Sequence, residues 1–207
     1  MKALVSESPL RVRVFDWMMR GFDDKGFAGW RTRLVGDLSG IVVELGTGTG
    51  LMFPHYRPGT HLIASDRDPL LLARAVDRAR DASASVALAA ADAMRLAIGD
   101  DSADAVVISL MLCTVPDQAR TLAEVRRVLK PGGVFRCVEH VRDEDGTRNA
   151  RFQDRWNPLY KRVAGGCNLN RRTLDAIVEA GFHVGSLTRF RLGPGPSAPH
   201  ILVEATR

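Results

Sequence analysis

The residues best suited to chemistry begin at position 42, where an apolar run ends in an acidic residue and a glycine-rich turn. Their order is Val42-Val43-Glu44-Leu45-Gly46-Thr47-Gly48-Thr49-Gly50. In an open parallel sheet, ligands bind at the carboxyl ends of the strands, near the point where strand order reverses. The turn is therefore the expected cradle of a cofactor, and we expect it to open a helix.

Charge distinguishes between the cofactors that such a turn could hold. A dinucleotide fingerprint would need a third glycine at position 51, where the chain has Leu51. Glu44 beside the turn would repel a pyrophosphate, whereas it would attract the sulfonium and ammonium groups of S-adenosylmethionine. The sequence therefore predicts S-adenosylmethionine.

Two further acidic residues follow apolar runs and could hold an adenosine. Asp66 can accept hydrogen bonds from both ribose hydroxyls, and Asp92 is placed to accept one from the adenine amino group. The structural alternative for both is helix capping, since Asp is a common N-cap residue.

The elements that would position these residues follow from the hydrophobic pattern. Five short apolar runs predict parallel strands at residues 41–45, 61–65, 86–90, 105–110 and 134–139. Helical spacing is clearest from Pro116, in the first turn, to Lys130, with a stop at Pro131-Gly132-Gly133. A helix near 173–180 and strands at 182–191 and 199–206 complete the pattern.

This alternation predicts an α/β, doubly wound sheet with helices on both faces and an antiparallel edge. Residues 10–36 carry apolar positions at helical intervals. We therefore expect residues 1–40 to form a helical arm or lid on a single globular domain of residues 41–207.

Composition limits the setting of the protein. The longest apolar stretch, residues 105–115, is about half of the ~20 residues that a membrane-spanning helix needs. Three dispersed cysteines and five histidines without ligand spacing predict a reduced, cytoplasmic compartment and no metal. The net charge of +5 is mostly arginine interleaved with acidic residues, so we expect a solvated basic surface and no nucleic-acid partner.

Taken in order, four motifs resemble those of class I methyltransferases. They are Glu-x-Gly-x-Gly-x-Gly at 44–50, Asp66, Ala91-Asp92-Ala93, and Leu129-Lys130-Pro131-Gly132-Gly133. The resemblance implies a Rossmann-like sheet with strand order 3-2-1-4-5-7-6 and strand 7 antiparallel. The predicted cofactor site comprises Glu44, Gly46, Thr47, Gly48, Gly50, Asp66, Arg67, Asp92, Ala93 and Ser109.

A more specific resemblance covers roughly residues 41–207, and the motifs that carry it begin at the fourth strand and run to the end of the chain. It lies in Leu112-Cys113-Thr114-Val115, Glu139-His140-Val141, Gln153-x-x-Trp156-x-Pro158, Gly166-Cys167-Asn168-Leu169, Arg171-x-Thr173, Ala180-x-Phe182 and Pro199-His200-Ile201. The pattern is similar to the methyltransferase-like thiol S-methyltransferases of eukaryotic membranes and their soluble bacterial relatives. The hydrophobic amino-terminal anchor of the membrane-bound members is missing here, so we expect no integral membrane association.

The resemblance implies a small, largely apolar thiol as methyl acceptor. A thiol must become a thiolate to attack, and one with a pKa near ~8.5 is mostly protonated at neutral pH. His140 is the candidate base, with loop orientation as its alternative. Glu139 would orient that imidazole or order the loop.

The predicted acceptor pocket contains Cys113, Trp156 and His200. Sulfonium chemistry needs no enzyme nucleophile, so we expect Cys113 and Cys167 to pack as small apolar residues rather than to react. Trp156, Trp17 and Trp30 could line a pocket, although tryptophan at helical spacing is more often core. The resemblance places His200 near the acceptor channel, and its alternative is a surface histidine.

Two other functions stay open at this point. Sites of this fold change acceptor by altering loops, so the nitrogen or oxygen of a small metabolite or phospholipid headgroup is an alternative acceptor. A protein that binds S-adenosylmethionine without turnover is the other. Asn157-Pro158-Leu159-Tyr160 is similar to the base-gripping motif of nucleic-acid amino-methyltransferases, but it lies far from the fourth strand, where that motif belongs.

Overall fold

The computed structural model describes residues 9–207, so the first eight residues of the predicted arm lie outside the described part of the chain. The helices are α1 (Pro9–Phe22), α2 (Ala28–Val35), α3 (Pro69–Asp81), α4 (Gln118–Val128), α5 (Arg148–Val163) and α6 (Thr173–Glu179). The strands are β1 (Gly40–Leu45), β2 (Thr60–Asp66), β3 (Ser85–Ala90), β4 (Ala103–Ser109), β5 (Leu129–His140), β6 (His183–Arg191) and β7 (Pro199–Thr206).

All seven strands form one sheet in the order β3-β2-β1-β4-β5-β7-β6. The first five are parallel, and β7 lies antiparallel between β5 and β6. The predicted fold class, strand order and antiparallel strand 7 are confirmed. Because these five strands are parallel, the carboxyl ends of β1, β2, β4 and β5 share one edge of the sheet, and the strand order reverses between β1 and β4.

The hydrophobic core is divided into two clusters, one on each face of the sheet. Val43 and Ile108 contribute to the cluster that packs on α4 and α6, whereas Val42 and Val107 contribute to the cluster that packs on α2 and α3. Successive strand residues point to opposite faces, so strands covered on both sides are apolar throughout. In the described residues, no helix has both the length and the apolar character needed to cross a bilayer.

The prediction that the glycine-rich turn opens a helix is wrong. Turns follow β1, and the segment's only helical piece is a 3-10 turn at Phe53–His55. Pro54, Pro58 and Gly59 crowd this segment, and proline inside a helix removes a backbone donor. The first helix after the turn is α3, beyond β2.

The helix predicted from Pro116 to Lys130 is shorter at both ends. Asp117 is its N-cap, because its carboxylate accepts a hydrogen bond from Arg120 N at 3.0 Å, and Pro116 lies outside the helix. At the other end Leu129 has extended backbone angles and starts β5. The predicted stop at Pro131-Gly132-Gly133 instead forms a bulge, across which the register moves from Ala103–Leu129 to Ala105–Val134.

Candidate active site

The glycine-rich loop after β1 closes tightly against its neighbours. Gly46 has a φ of +72°, and a Cβ atom there would lie 2.7 Å from Met111 Sδ. Gly50 has a φ of +80°, and a Cβ there would lie 2.5 Å from the Phe53 ring. Glycine alone adopts such angles without steric cost. The absence of these side chains lets the backbone pass close to the loop that follows β4.

Glu44 braces this loop from the end of β1. The buried carboxylate accepts hydrogen bonds from Thr47 Oγ1 at 2.8 Å and Tyr56 Oη at 2.9 Å. Burial raises the pKa of Glu44 above its usual value, and the two donors only partly offset that effect. Both carboxylate oxygens therefore have protein partners, and attraction of a cofactor cation by Glu44 stays a prediction.

Asp66, the last residue of β2, lies directly beside the loop. It accepts hydrogen bonds from Gly48 N and Asp68 N, both at 2.9 Å. Burial raises its pKa despite these two bonds. The capping alternative is wrong for Asp66, because Asp68 caps α3 by accepting from Leu70 N at 3.0 Å. The intervening Arg67 is exposed.

Two other predicted cofactor positions lie at the ends of neighbouring strands. Asp92, beyond β3, is exposed and accepts a hydrogen bond from Met94 N at 2.9 Å, with Ala93 half-buried between them. No helix begins at Asp92, so the capping alternative is wrong there too. Ser109 ends β4 half-buried and is followed by Leu110 at a φ of +54°, a strained angle for a leucine.

Helix α1 docks on the loop through an ion pair and an aromatic ring. The buried Asp16 carboxylate accepts hydrogen bonds from Thr49 Oγ1 at 2.6 Å and Arg78 Nη1 at 2.8 Å. Burial alone would raise the pKa of Asp16, but these hydrogen bonds lower it on balance. The Phe15 ring lies 3.4 Å from where a Gly48 Cβ would stand.

On the other side of the shared edge, Glu139 organises the loop after β4. The buried carboxylate accepts backbone hydrogen bonds from Met111 and Leu112 at 2.7 Å and from Cys113 at 3.2 Å. Burial raises the pKa of Glu139, and the three donors partly offset the rise. Of its two predicted roles, this geometry corresponds to ordering the loop, since these bonds go to backbone groups and not to the His140 imidazole.

The fold brings Cys113, His140 and Cys167 together, although they are far apart in the chain. We call these three residues the sulfur–imidazole cluster. His140 Nε2 lies 2.7 Å from Cys167 Sγ, and the three ligand atoms all lie within 4.8 Å of one another. Cys113 and His140 are buried, whereas Cys167 is half-buried. His140 Nδ1 is buried with no hydrogen-bond partner among the described residues.

Hydrogen bonds to backbone carbonyls connect the two segments that carry the cysteines of the cluster. Asn168 donates to Cys113 O through its backbone N and its Nδ2, each at 2.9 Å. Arg171 donates to Leu112 O and Val115 O, both at 2.5 Å. The loop after β4 and the segment after α5 are thereby tied to each other.

Comparison with known proteins is decisive for the family. Residues 43–137 match the family model described as a methyltransferase domain. The chain is 34% identical to human thiol S-methyltransferase TMT1B over 175 residues, which cover 80% of this chain and 70% of that protein. Human thiol S-methyltransferase TMT1A is 36% identical over 144 residues, covering 68% of this chain and 59% of that protein. The chain belongs to the S-adenosylmethionine-dependent methyltransferases.

Solved structures agree on the fold of this methyltransferase. An S-adenosylmethionine-dependent methyltransferase from Mesorhizobium loti superposes with a TM-score of 0.64 at 22% identity, covering 90% of this chain and all of that one. S-adenosylmethionine is the methyl donor. The loop of the methyltransferase fits that cofactor, because glycines at 46 and 50 let the backbone turn sharply at the end of β1, and the Asp66 carboxylate lies beside this turn.

The side chains of the cluster shift one another's pKa values. The hydrogen bond between Cys113 and Cys167, together with burial, raises the pKa of the Cys113 thiol, and the same hydrogen bond lowers the pKa of Cys167. Burial lowers the pKa of the His140 imidazole, but contact with the Cys113 sulfur and the Glu139 charge raise it on balance. Sequence spacing gave no signal for this cluster, since it is assembled by three separate segments of the fold.

His200 lies beside the cluster and is not the surface histidine of the alternative interpretation. It pairs with His140 across β5 and β7, is buried, and its Nδ1 lies 2.8 Å from Ala198 O. Burial lowers the pKa of His200 to about 4, so the ring is neutral at physiological pH. Phe190 stacks on it with ring centroids 5.3 Å apart.

The tryptophans differ from the core positions expected of them. Trp17 on α1 is 77% exposed and Trp156 on α5 is 48% exposed, so both interpretations as core are wrong. Helical spacing marks one face of a helix, and in both helices that face points outward. Trp30 is half-buried and packs against the core, stacked on Phe190 with ring centroids 3.7 Å apart.

Proposed function

We propose that this methyltransferase transfers the methyl group of S-adenosylmethionine to the sulfur of a small, largely apolar thiol. The main support for this proposal is the similarity to thiol S-methyltransferase TMT1B over 80% of the chain. The sulfur–imidazole cluster supports it, because it lies at the carboxyl end of β5, beside the loop that contacts Gly46.

The cofactor is assigned to the glycine-rich loop and the edge of the sheet next to it. Gly46, Thr47, Gly48 and Gly50 would form the cradle, and Asp66 would accept from the ribose hydroxyls. Asp92 would border the adenine of the cofactor, and Ser109 would border the side of the cofactor that carries the methyl group. When bound, S-adenosylmethionine supplies an electrophilic methyl group on a sulfonium.

Positioning is the main contribution of the chain. An in-line displacement needs its reactants aligned, and held reactants can gain about 7–11 kcal/mol relative to free ones. Glu139 fixes the backbone of residues 111–113, and Met111 lies against Gly46. The acceptor would lie between these two loops, with Cys113, Cys167 and His200 nearby.

The acceptor must also lose its thiol proton. His140 lies where this step is needed, but its Nε2 is 2.7 Å from Cys167 Sγ and its Nδ1 is enclosed. We therefore assign thiol activation to the cluster as a unit, in place of the solitary base predicted from the sequence.

The test is a set of matched acceptors with methyl-labelled S-adenosylmethionine. Small apolar scaffolds are offered as thiol, amine and alcohol, and the product masses and initial rates are measured. Methylation of the thiols at a rate at least tenfold above the amines and alcohols is expected. Faster methylation of the amines or alcohols would show that the acceptor atom is nitrogen or oxygen, and the assignment as a methyltransferase would stand.

A further inference from the structure

The sulfur–imidazole cluster has the composition of a metal site. Two thiols and an imidazole are ligands that zinc prefers, and a set of two cysteines and one histidine occurs in catalytic zinc sites that keep a fourth position open. The three ligand atoms lie within 4.8 Å of one another, two residues being buried and Cys167 half-buried. The sequence predicted no metal because no metal-ligand spacing was found along the chain. Such spacing cannot reveal a site whose ligands come from three separate segments.

The cluster could hold zinc after one contact between its ligand atoms lengthens. With Zn–S near 2.3 Å and Zn–N near 2.0–2.1 Å, tetrahedral ligand atoms lie about 3.5–3.8 Å apart. His140 Nε2 and Cys167 Sγ, at 2.7 Å, would have to separate by about 1 Å. Cys167 follows Gly165 and Gly166, which have φ angles of +62° and +96° and form a tight turn on the half-buried side of the cluster.

A bound cation would also balance the charge of the site. Two cysteine thiolates beside the fully buried Glu139 carboxylate would bring three negative charges together, against the single positive charge of Arg171, whose guanidinium donates to the same loop. Isolated buried charges are costly unless they are paired or bind a metal. Backbone donors already occupy Glu139, and a divalent cation would compensate two thiolates.

We propose that Cys113, His140 and Cys167 bind one Zn²⁺ ion, and that its open fourth position takes the sulfur of the acceptor as a thiolate. This proposal rests on the proposed thiol methylation and identifies what activates the thiol. Only the Nε2 atom of His140 faces the sulfurs, so it is the imidazole ligand.

The step balances without an oxidant or reductant. Zinc binding displaces one proton from each of the two cysteine thiols, and the acceptor R–SH releases its proton to solvent when its sulfur is coordinated. A sulfur lone pair forms the new S–CH₃ bond while the bond from the methyl group to the sulfonium sulfur breaks. The electron pair of that bond stays on the departing S-adenosylhomocysteine, and the neutral thioether R–S–CH₃ leaves.

The experiment measures metal content and does not depend on activity. The full chain is purified under reducing conditions, incubated with Zn²⁺, freed of excess metal, and analysed by inductively coupled plasma mass spectrometry. We expect one zinc per chain in the wild type, and a zinc content lower by at least about tenfold in Cys113→Ala, Cys167→Ala and His140→Ala.

Cys137→Ala is the matched control, since Cys137 is a buried cysteine of β5 outside the cluster. It should bind zinc as the wild type does. If Cys113→Ala fails to fold, the half-buried Cys167 and Co²⁺ substitution of the wild type decide the question, because cobalt bound to thiolates shows sulfur-to-metal charge-transfer absorption. Cobalt uptake without that absorption would overturn the proposal.

The two proposals can fail separately. Zinc uptake that is absent in the wild type, or equal in all variants, would overturn the metal site even if thiols are methylated. If the wild type binds one zinc per chain, the cluster variants lose it, and only amines are methylated, the metal site would stand and the thiol acceptor would be rejected.

Discussion

At the scale of single residues, acidic side chains perform tasks that their types alone do not reveal. Glu44, Asp66 and Glu139 all lie in the last two residues of their strands, at one edge of the sheet, and all accept hydrogen bonds from loop groups. The sequence placed Glu44 and Asp66 beside the cofactor turn. It could not choose between the two roles of Glu139, because the donors lie 26–28 positions away in the chain.

Asp66→Asn tests the assigned cofactor contact. The amide has one acceptor oxygen where the carboxylate has two, so the affinity for S-adenosylmethionine should fall about tenfold to a hundredfold, as expected for hydrogen bonds to a charged group. Isothermal titration calorimetry measures it. Asp77→Asn, an exposed α3 position, is the control, and equal affinities for both variants would reject the contact.

Glu139→Gln should impair turnover more than cofactor binding. The amide nitrogen would face backbone N–H groups that now point at a carboxylate, which should destabilise the fold by about 1–3 kcal/mol and loosen residues 111–113. Urea unfolding and steady-state kinetics measure the two effects. The exposed Glu179→Gln should change neither, and an unaltered kcat in Glu139→Gln would show that the loop needs no such support.

At the scale of elements, local patterns predicted the strands better than the helix boundaries. β7 begins and ends where the pattern placed it, since this apolar run is buried along almost its whole length. The helix expected after Gly50 is absent because Pro54 and Pro58 interrupt it, and α4 starts at its Asp117 cap and not at Pro116. The apolar faces of α1 and α5 point outward because of how these helices pack. Periodicity identifies such a face but does not show whether it points toward the core or toward solvent.

Asp16→Asn tests the docking of α1 on the glycine-rich loop. Losing the ion pair with Arg78 should lower the free energy of unfolding by about 1.5–3 kcal/mol at pH 7. Because the pKa of Asp16 is lowered in the folded chain, the wild type keeps this contribution above the usual carboxyl range and loses it as the pH falls through the lowered pKa.

Urea unfolding of both proteins between pH 7 and pH 3 measures this difference. The gap between wild type and Asp16→Asn should narrow toward pH 3. A gap that is constant with pH would mean that the ionised carboxylate is not what holds α1. Asp24→Asn, in the segment after α1, serves as the control.

At the scale of the whole molecule, the doubly wound sheet accounts for where the chemistry lies. Strand order 3-2-1-4-5-7-6 puts the glycine-rich loop of β1, our proposed cofactor loop, beside the loop of β4 and the end of β5. This order was predicted from motifs of a known fold. The sulfur–imidazole cluster was not, because Cys113, His140 and Cys167 meet only once β4, β5 and the segment after α5 have packed.

Competition among three acceptors in one reaction identifies the atom that receives the methyl group. Equimolar thiol, amine and alcohol versions of one small apolar scaffold are mixed with the wild-type protein and methyl-labelled S-adenosylmethionine, and the products are separated by mass. We expect the methyl thioether to be the dominant product, and we expect His140→Ala to lose this product while still binding the cofactor. A methylated amine or ether as the dominant product would reject sulfur as the acceptor atom.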